Sequence, residues 1–254
     1  MGIDRLSHWN EVWTHTPAAR VAREVLMRAA FGPIVDGYTH RRVVGLEHLR
    51  DVDAPAIFVA NHASHLDTPA LLCSLPGRWR RRTGVAAAAD YFYTGRLLAA
   101  TVSLSFGTVP VERSGRSLAS DAAARIERLI DRGWSLLVFA EGTRSRDGRV
   151  GRLHTGAAAL AAQHARPLVP IHLAGSHAVM PVGRPWPVRP AGGGRFARHP
   201  LVVSFGAPIR ADPREDRYEV MERVRLFMER CGAETTPDPK LAARRRAAAR
   251  RAER

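Results

Sequence analysis

The residues best placed to do chemistry stand in Phe58-Val-Ala-Asn-His-Ala-Ser-His-Leu-Asp67, where His62 precedes Asp67 by five positions. An imidazole held by a carboxylate is a proton acceptor. The carboxylate takes one ring N–H, fixes the tautomer and leaves the other nitrogen with its lone pair. The same residues permit a plainer assignment, with Asp67 an ordinary helix N-cap and His62 a hydrogen-bonded loop residue. They also permit a metal-dependent hydrolase, because His62, His65 and Asp67 form a compact set of two nitrogens and one oxygen. A second pair at the same spacing, His48 and Asp53, falls in a turn ahead of the apolar run and is a decoy.

A second polar cluster, Ala140-Glu-Gly-Thr-Arg-Ser145, follows the apolar run Ser135–Phe139. Gly142 lets the backbone turn sharply after a strand. Thr143 and exposed backbone N–H groups can hold an anion there, and Arg144 can fork onto a phosphate. Arg113, at the end of Gly107-Thr-Val-Pro-Val-Glu-Arg113, can add a second positive charge. Other templates fail. Gly192–Ala197 matches a dinucleotide fingerprint loosely but follows prolines rather than a strand. The chain has no Gly-x-Ser-x-Gly elbow and no Walker A loop.

Positioning these clusters requires strands that end at one edge of a sheet. Ile57–Ala60, Ser135–Phe139, Pro167–Leu173 and Leu201–Phe205 are apolar runs of the kind buried on both faces. Thr108–Val111 alternates like a short strand. Between them lie helical patterns: 69–75, Ser117 or Ser120 to Arg132 with Gly133 after it, Gly156–His164, and a last helix opened by Asp212-Pro213. Before Pro69, Asp67 or Thr68 is placed to cap. Alternation of this kind predicts one α/β domain, a central mostly parallel or mixed sheet flanked by helices. Thr16-Pro17 starts an N-terminal amphipathic helix, with Val21, Ala22, Val25, Leu26 and Ala29 on one side and Arg20, Arg23, Glu24 and Arg28 mostly on the other. Gly32-Pro33 is expected to stop it. Met180–Pro200, rich in Pro, Gly and Arg, is expected to be a long excursion.

The 254 residues suffice for one ordinary core. Lys+Arg 39 against Asp+Glu 24 gives a net charge of +15, and Lys240 is the only lysine. Arginine stays charged and binds phosphate bidentately, so acidic partners are implied: nucleic acid, anionic headgroups or phosphorylated substrates. Cys73 and Cys231 form neither a disulfide framework nor a metal spacing, which suits a reducing compartment. No signal peptide and no spanning segment are expected.

Taken together and in order, Asn61-His62-Ala-Ser64-His-Leu-Asp67, Gly107–Arg113, Phe139-Ala-Glu141-Gly142-Thr143-Arg144-Ser145 and Val169-Pro170-Ile171 resemble the four blocks of the glycerolipid acyltransferase family. The likeness runs from about Val43 to Ile209. It implies a glycerol-3-phosphate acyltransferase-like fold, with a membrane-associating segment at 1–36, an acyltransferase domain at 37–232 and a basic tail at 233–254. By that resemblance His62 is the base and Asp67 orients it, while Arg113, Glu141, Gly142, Thr143 and Arg144 bind the acceptor's phosphate. Glu141 would hold the turn and the arginines in place. The acyl donor would be acyl-CoA or acyl-carrier protein and the acceptor a lysophospholipid, most simply 1-acyl-sn-glycerol 3-phosphate. No cofactor, no metal and no nucleic acid would be needed. The protein would lie peripherally on the cytoplasmic face of an anionic membrane, touching it through the N-terminal segment, 97–106, Arg80–Arg82 and the tail. Two departures stand out. Ala140 replaces the usual proline before Glu-Gly-Thr-Arg, and Leu153-His154-Thr155-Gly156 stands where a Phe-Lys-x-Gly-like segment is common.

Overall fold

A computed structural model of the protein describes residues 13–88, 96–111 and 120–252. Its strands are β1 (Thr39–Val44), β2 (Ile57–Ala60), β3 (Thr83–Ala88), β4 (Thr108–Val111), β5 (Ser135–Phe139), β6 (Leu168–Ala174) and β7 (His199–Phe205). They form one sheet in the order β1-β7-β6-β2-β5-β3-β4. Neighbours are parallel except β6 and β7, so β1 and β7 run against the other five. The predicted mostly parallel, mixed α/β sheet is therefore present.

The central strand shows why its sequence is apolar throughout. Ile57 and Val59 point into a cluster with Ile126, Leu136 and Val224, whereas Phe58 and Ala60 point into another with Met27, Leu71 and Trp79. All four are fully buried. Side chains alternate between faces, so a strand covered on both sides has no polar positions to spare. Burying a residue such as Phe58, packed edge-on against Trp79 with centroids 5.4 Å apart, contributes roughly 2–3 kcal/mol.

The helices are α1 (Pro17–Leu26), α2 (Gly32–Tyr38), α3 (Asp67–Ser74), α4 (Gly77–Arg80), α5 (Arg96–Phe106), α6 (Ser120–Asp131), α7 (Gly156–Gln163), α8 (Ser176–Val179), α9 (Arg217–Arg230) and α10 (Pro239–Ala252). No described helix is long and apolar enough to cross a membrane. Gly133, expected just past α6, has φ +75°, the left-handed conformation that ends a helix.

Several local expectations need correction. Gly32-Pro33 does not stop the first helix. A π turn at Met27–Phe31 links α1 to α2, and Gly32 N–H reaches the Met27 carbonyl. The wider turn accommodates Pro33, which then falls in the first turn of α2, where its missing N–H costs little. Thr16 caps α1 as expected, accepting from Ala19 N at 3.2 Å. The helix, however, packs on its basic side. Arg23 is 3% exposed, while Val21 and Val25 are 65% and 57% exposed. Arg23 is drawn in by carbonyls, donating from Nε to Leu104 O at 2.9 Å and from Nη2 to Thr14 O at 2.8 Å. Burial, with Arg20 adding to it, lowers its pKa to about 10.

The last core helix starts at Arg217 rather than at Asp212-Pro213, because Asp216 is the residue whose carboxylate caps it, accepting from Tyr218 N. The tail is helical over Pro239–Ala252, and Arg244 and Arg245 pair with Asp216 and Glu219 of the preceding helix region. Arg80 is likewise engaged inside the protein, on Glu24 and on the Leu75 carbonyl.

Candidate active site

Parallel β2 and β5 lie side by side with Ala60 opposite Phe139, so both predicted polar clusters leave the sheet at the same edge. The backbone stitches them together. Ala140 N donates to Ala60 O at 3.1 Å and Ser145 N to His62 O at 2.8 Å. Asn61 extends β2 by one rung through its side chain. Its Oδ1 accepts from Leu173 N at 2.8 Å and its Nδ2 donates to Leu173 O at 3.0 Å. The polar loop is thereby pinned to β6 on one side and to β5 on the other.

The loop then folds around Asp67. Leu66 is the N-cap position of α3, and Asp67 is the first helical residue. Its carboxylate turns back instead of capping. Oδ2 accepts from Ala63 N at 2.6 Å, Ser64 N at 2.8 Å and His62 Nδ1 at 2.8 Å. The cap assignment for Asp67 is thus replaced by a brace on the loop. Oδ2 accepts, so His62 donates from Nδ1 and its Nε2 carries the lone pair. The Asp67 side chain is 0% exposed and that of His62 is 19% exposed, so the carboxylate is sealed while the imidazole reaches solvent. The ring lies nearly parallel to Phe139, with centroids 4.0 Å apart and planes 19° apart, which fixes its second degree of freedom. Ser64, fully buried, accepts from Leu66 N and donates from its hydroxyl to Met180 O at 2.8 Å.

Glu141 is the brace between the clusters. Its Oε1 accepts from His62 N and its Oε2 from Gly151 N, each at 2.8 Å. It thus holds backbone rather than arginines. Burial pushes its carboxyl up, and the two N–H bonds work against that shift. Gly142 turns the chain with φ +68°, a conformation that favours glycine. A side chain at position 142 would also point at the His154 ring. Gly142 and Thr143 are exposed and Arg144 is half-buried.

Arg144 Nη1 lies in hydrogen-bonding contact with His65 Nε2. Burial first, then the Arg144 charge and then His62, pushes the His65 imidazole below the ordinary histidine range, which keeps it a neutral acceptor. A metal at His65 would have to share that nitrogen with a guanidinium. Among the described residues no group of three His, Cys, Asp or Glu gathers as a ligand set. The structure therefore brings together His62, Asp67, Glu141, Gly142, Thr143 and Arg144, whereas Arg113 lies outside the described residues.

Asn61, Ser64 and His65 are the participants that spacing alone did not assign. The available signal was that each is a polar residue inside an otherwise buried loop, where an unpartnered polar group is costly.

The arrangement presents an oriented base beside an exposed turn with an arginine. The acyltransferase family model matches residues 40–174. A chloroplastic 1-acyl-sn-glycerol-3-phosphate acyltransferase of Brassica napus is 36% identical over 143 residues, covering 56% of this chain and 39% of that protein. Its counterpart in Arabidopsis thaliana is also 36% identical over 143 residues, with 38% of its length covered. The chain thus spans well under half the length of these relatives. The crystal structure of the 1-acyl-sn-glycerophosphate acyltransferase of Thermotoga maritima superposes with a TM-score of 0.59 at 20% identity, covering 83% of this chain and 77% of that one. At that identity the likeness is one of fold.

Proposed function

The chain belongs to the acyltransferase family, and from that premise we propose that it moves a fatty acyl group from a thioester to a hydroxyl of a phosphorylated glycerolipid. The acceptor is 1-acyl-sn-glycerol 3-phosphate, the substrate in the names of both plant relatives, and the product is phosphatidate. The donor is acyl-CoA or acyl-carrier protein. The observation that carries this reading is the sealed Asp67 carboxylate holding His62 Nδ1 at 2.8 Å, with Arg144 in the turn beside it.

His62 Nε2 takes the proton of the acceptor hydroxyl as that oxygen attacks the thioester carbonyl carbon. The C–S bond of the resulting tetrahedral intermediate breaks, and the proton on His62 passes to the departing sulfur. Asp67 stabilises the imidazolium formed in between and keeps its proton on Nδ1. No covalent enzyme intermediate is required. Arg144, the exposed Gly142–Thr143 turn and Arg113 take the acceptor phosphate. Glu141 positions both halves and does not touch the phosphate. The acceptor resides in a bilayer, and the protein works as a peripheral enzyme on its cytoplasmic face. Contact with lipid through the N-terminal segment is supported by the exposure of Val21 and Val25 on α1.

The test is transfer of a radiolabelled acyl group by purified protein from acyl-CoA, and separately from acyl-carrier protein, to a panel of lysolipids. Wild type should make phosphatidate. His62→Ala should fall by about three orders of magnitude or more with an unchanged melting temperature. Retained activity in that variant would remove His62 as the base. Bound zinc together with loss of activity to chelators would favour the hydrolase instead.

A further inference from the structure

Between α8 and β7 the chain makes an excursion, residues 181–198, that the chemistry above does not use. It contains Arg184, Arg189, Arg195 and Arg198 and no carboxylate. Trp186 is 75% exposed and Phe196 is 79% exposed, the two most exposed large apolar side chains among the described residues. Arg184, Arg195 and Arg198 are exposed as well. We infer that this excursion is a membrane-docking element, in which Trp186 and Phe196 enter the headgroup region of an anionic bilayer and the three exposed arginines pair with its phosphates.

The excursion is shaped although it holds no helix or strand. Turn bonds run from Arg184 N to Pro181 O, Gly193 N to Pro190 O and Ala197 N to Gly194 O, at 3.1, 3.1 and 2.9 Å. Arg189, the one half-buried arginine of the four, clamps it. Its Nη1 donates to Ala197 O at 2.9 Å and to Gly37 O at 3.1 Å, and its guanidinium sits 4.7 Å above the Tyr38 ring. This leaves the other three arginines and both aromatics facing out. Long ordered loops in a compact domain are commonly functional. Aromatic rings that are apolar in body, set among arginines, are the side chains that settle at a lipid–water boundary. A scatter of single exposed apolar residues would need no explanation. Two large aromatics held outward on a carboxylate-free loop present a wedge, which a soft, anionic surface can receive.

The position matters as much as the composition. The base of the excursion is tied to the catalytic loop, since Ser64 Oγ donates to Met180 O at 2.8 Å and Val188 N to Val179 O at 2.8 Å. His177, at the preceding helix, contacts Arg146 O at 3.0 Å, next to the anion-binding turn. On its other flank Arg189 reaches α2, where Ile34 is 41% exposed. Docking there would set the mouth of the site against the bilayer. This inference rests on the lipid acceptor proposed above.

The experiment is co-sedimentation of the full chain with phosphatidylcholine vesicles containing about 30% phosphatidylglycerol. Trp186→Ser with Phe196→Ser should weaken partitioning by about tenfold or more. Arg184→Gln with Arg195→Gln and Arg198→Gln should weaken it by about a hundredfold at low salt and by less at high salt. Both variants should melt as wild type does and retain its turnover on a short-chain acceptor in detergent. Folded variants that sediment like wild type would overturn the inference and leave the lipid reading intact. A wild type that binds no such vesicle would overturn both. Variants that bind vesicles normally but lose transfer from acyl-carrier protein would assign this face to a protein partner and overturn it equally.

Discussion

Asp67 is sealed and its Oδ2 accepts from three donors on its own loop, whereas Thr143, at the end of the neighbouring strand, is exposed. The two halves of the site sit on adjacent parallel strands and are joined by backbone hydrogen bonds, yet only one is finished without substrate. The difference follows from their tasks. A base must hold its tautomer and direction before the reaction begins, so its orienting group is taken out of water and bonded through Oδ2 to the loop that it orients. An anion grip is completed by the anion, and an exposed turn costs little while it waits, with Arg144 meanwhile held against His65. Glu141, bonded to His62 N on one side and Gly151 N on the other, lets a rigid half and an open half share one frame.

The comparison is broken most severely at the sealed half. Asp67→Asn keeps the size of the side chain but would present an amide N–H or an oxygen with no charge, and the three donors now on Oδ2 could no longer all be satisfied as they are. Steady-state rates should show kcat lower by about a thousandfold. A drop smaller than tenfold would mean that the carboxylate charge is not what orients His62.

Acid should also find the sealed half. His172 lies in β6 next to Leu173, which carries the Asn61 rung, and is 5% exposed. Burial lowers its pKa from 6.5 to about 4. The unfolded chain therefore binds the proton first as pH falls below 6.5, and stability contributed by the neutral ring is lost between about pH 6.5 and pH 4. The loss amounts to roughly 3 kcal/mol. Glu141, raised by burial, acts in the opposite sense, losing stability as pH rises through its folded value. Chemical denaturation of wild type and His172→Leu across that range isolates the histidine. The variant should show the shallower acid slope, and equal slopes would rule His172 out.

The smallest effect belongs to the open half. Arg144→Ala should raise the acceptor KM by about tenfold, the worth of one charge-assisted hydrogen bond, with the donor KM little changed. The reverse pattern would move the phosphate grip away from the Gly142–Arg144 turn.

What could be foreseen from the sequence divides along similar lines. Strands such as Ile57–Ala60 and Ser135–Phe139 were legible because burial on both faces demands an unbroken apolar run. Two such runs ending in polar residues made a composite site possible, and the pairing of β2 with β5 brings the two loops together. What could not be read was direction. An aspartate at the start of a helix can cap forward or brace backward, and only the loop bonds from Ala63 and Ser64 decide for Asp67. The packed face of α1 could not be read for a similar reason. The partners that bury Arg23 include the Leu104 carbonyl, far along the chain, and no periodicity records them. Asp212 and Asp216 are both plausible caps, and the tertiary fold selects the second.

The π turn at Met27–Phe31 carries one more consequence. A π turn holds one residue more than an α turn, and one residue is about 100° of rotation. Without that extra residue, everything before Met27 would be clocked a quarter-circle around the axis. Arg23 would swing off the Leu104 carbonyl, and Val21 and Val25 would face another direction altogether. The heading of the N-terminal arm relative to the sheet is thus written in a single turn, with the helix itself serving only as the lever.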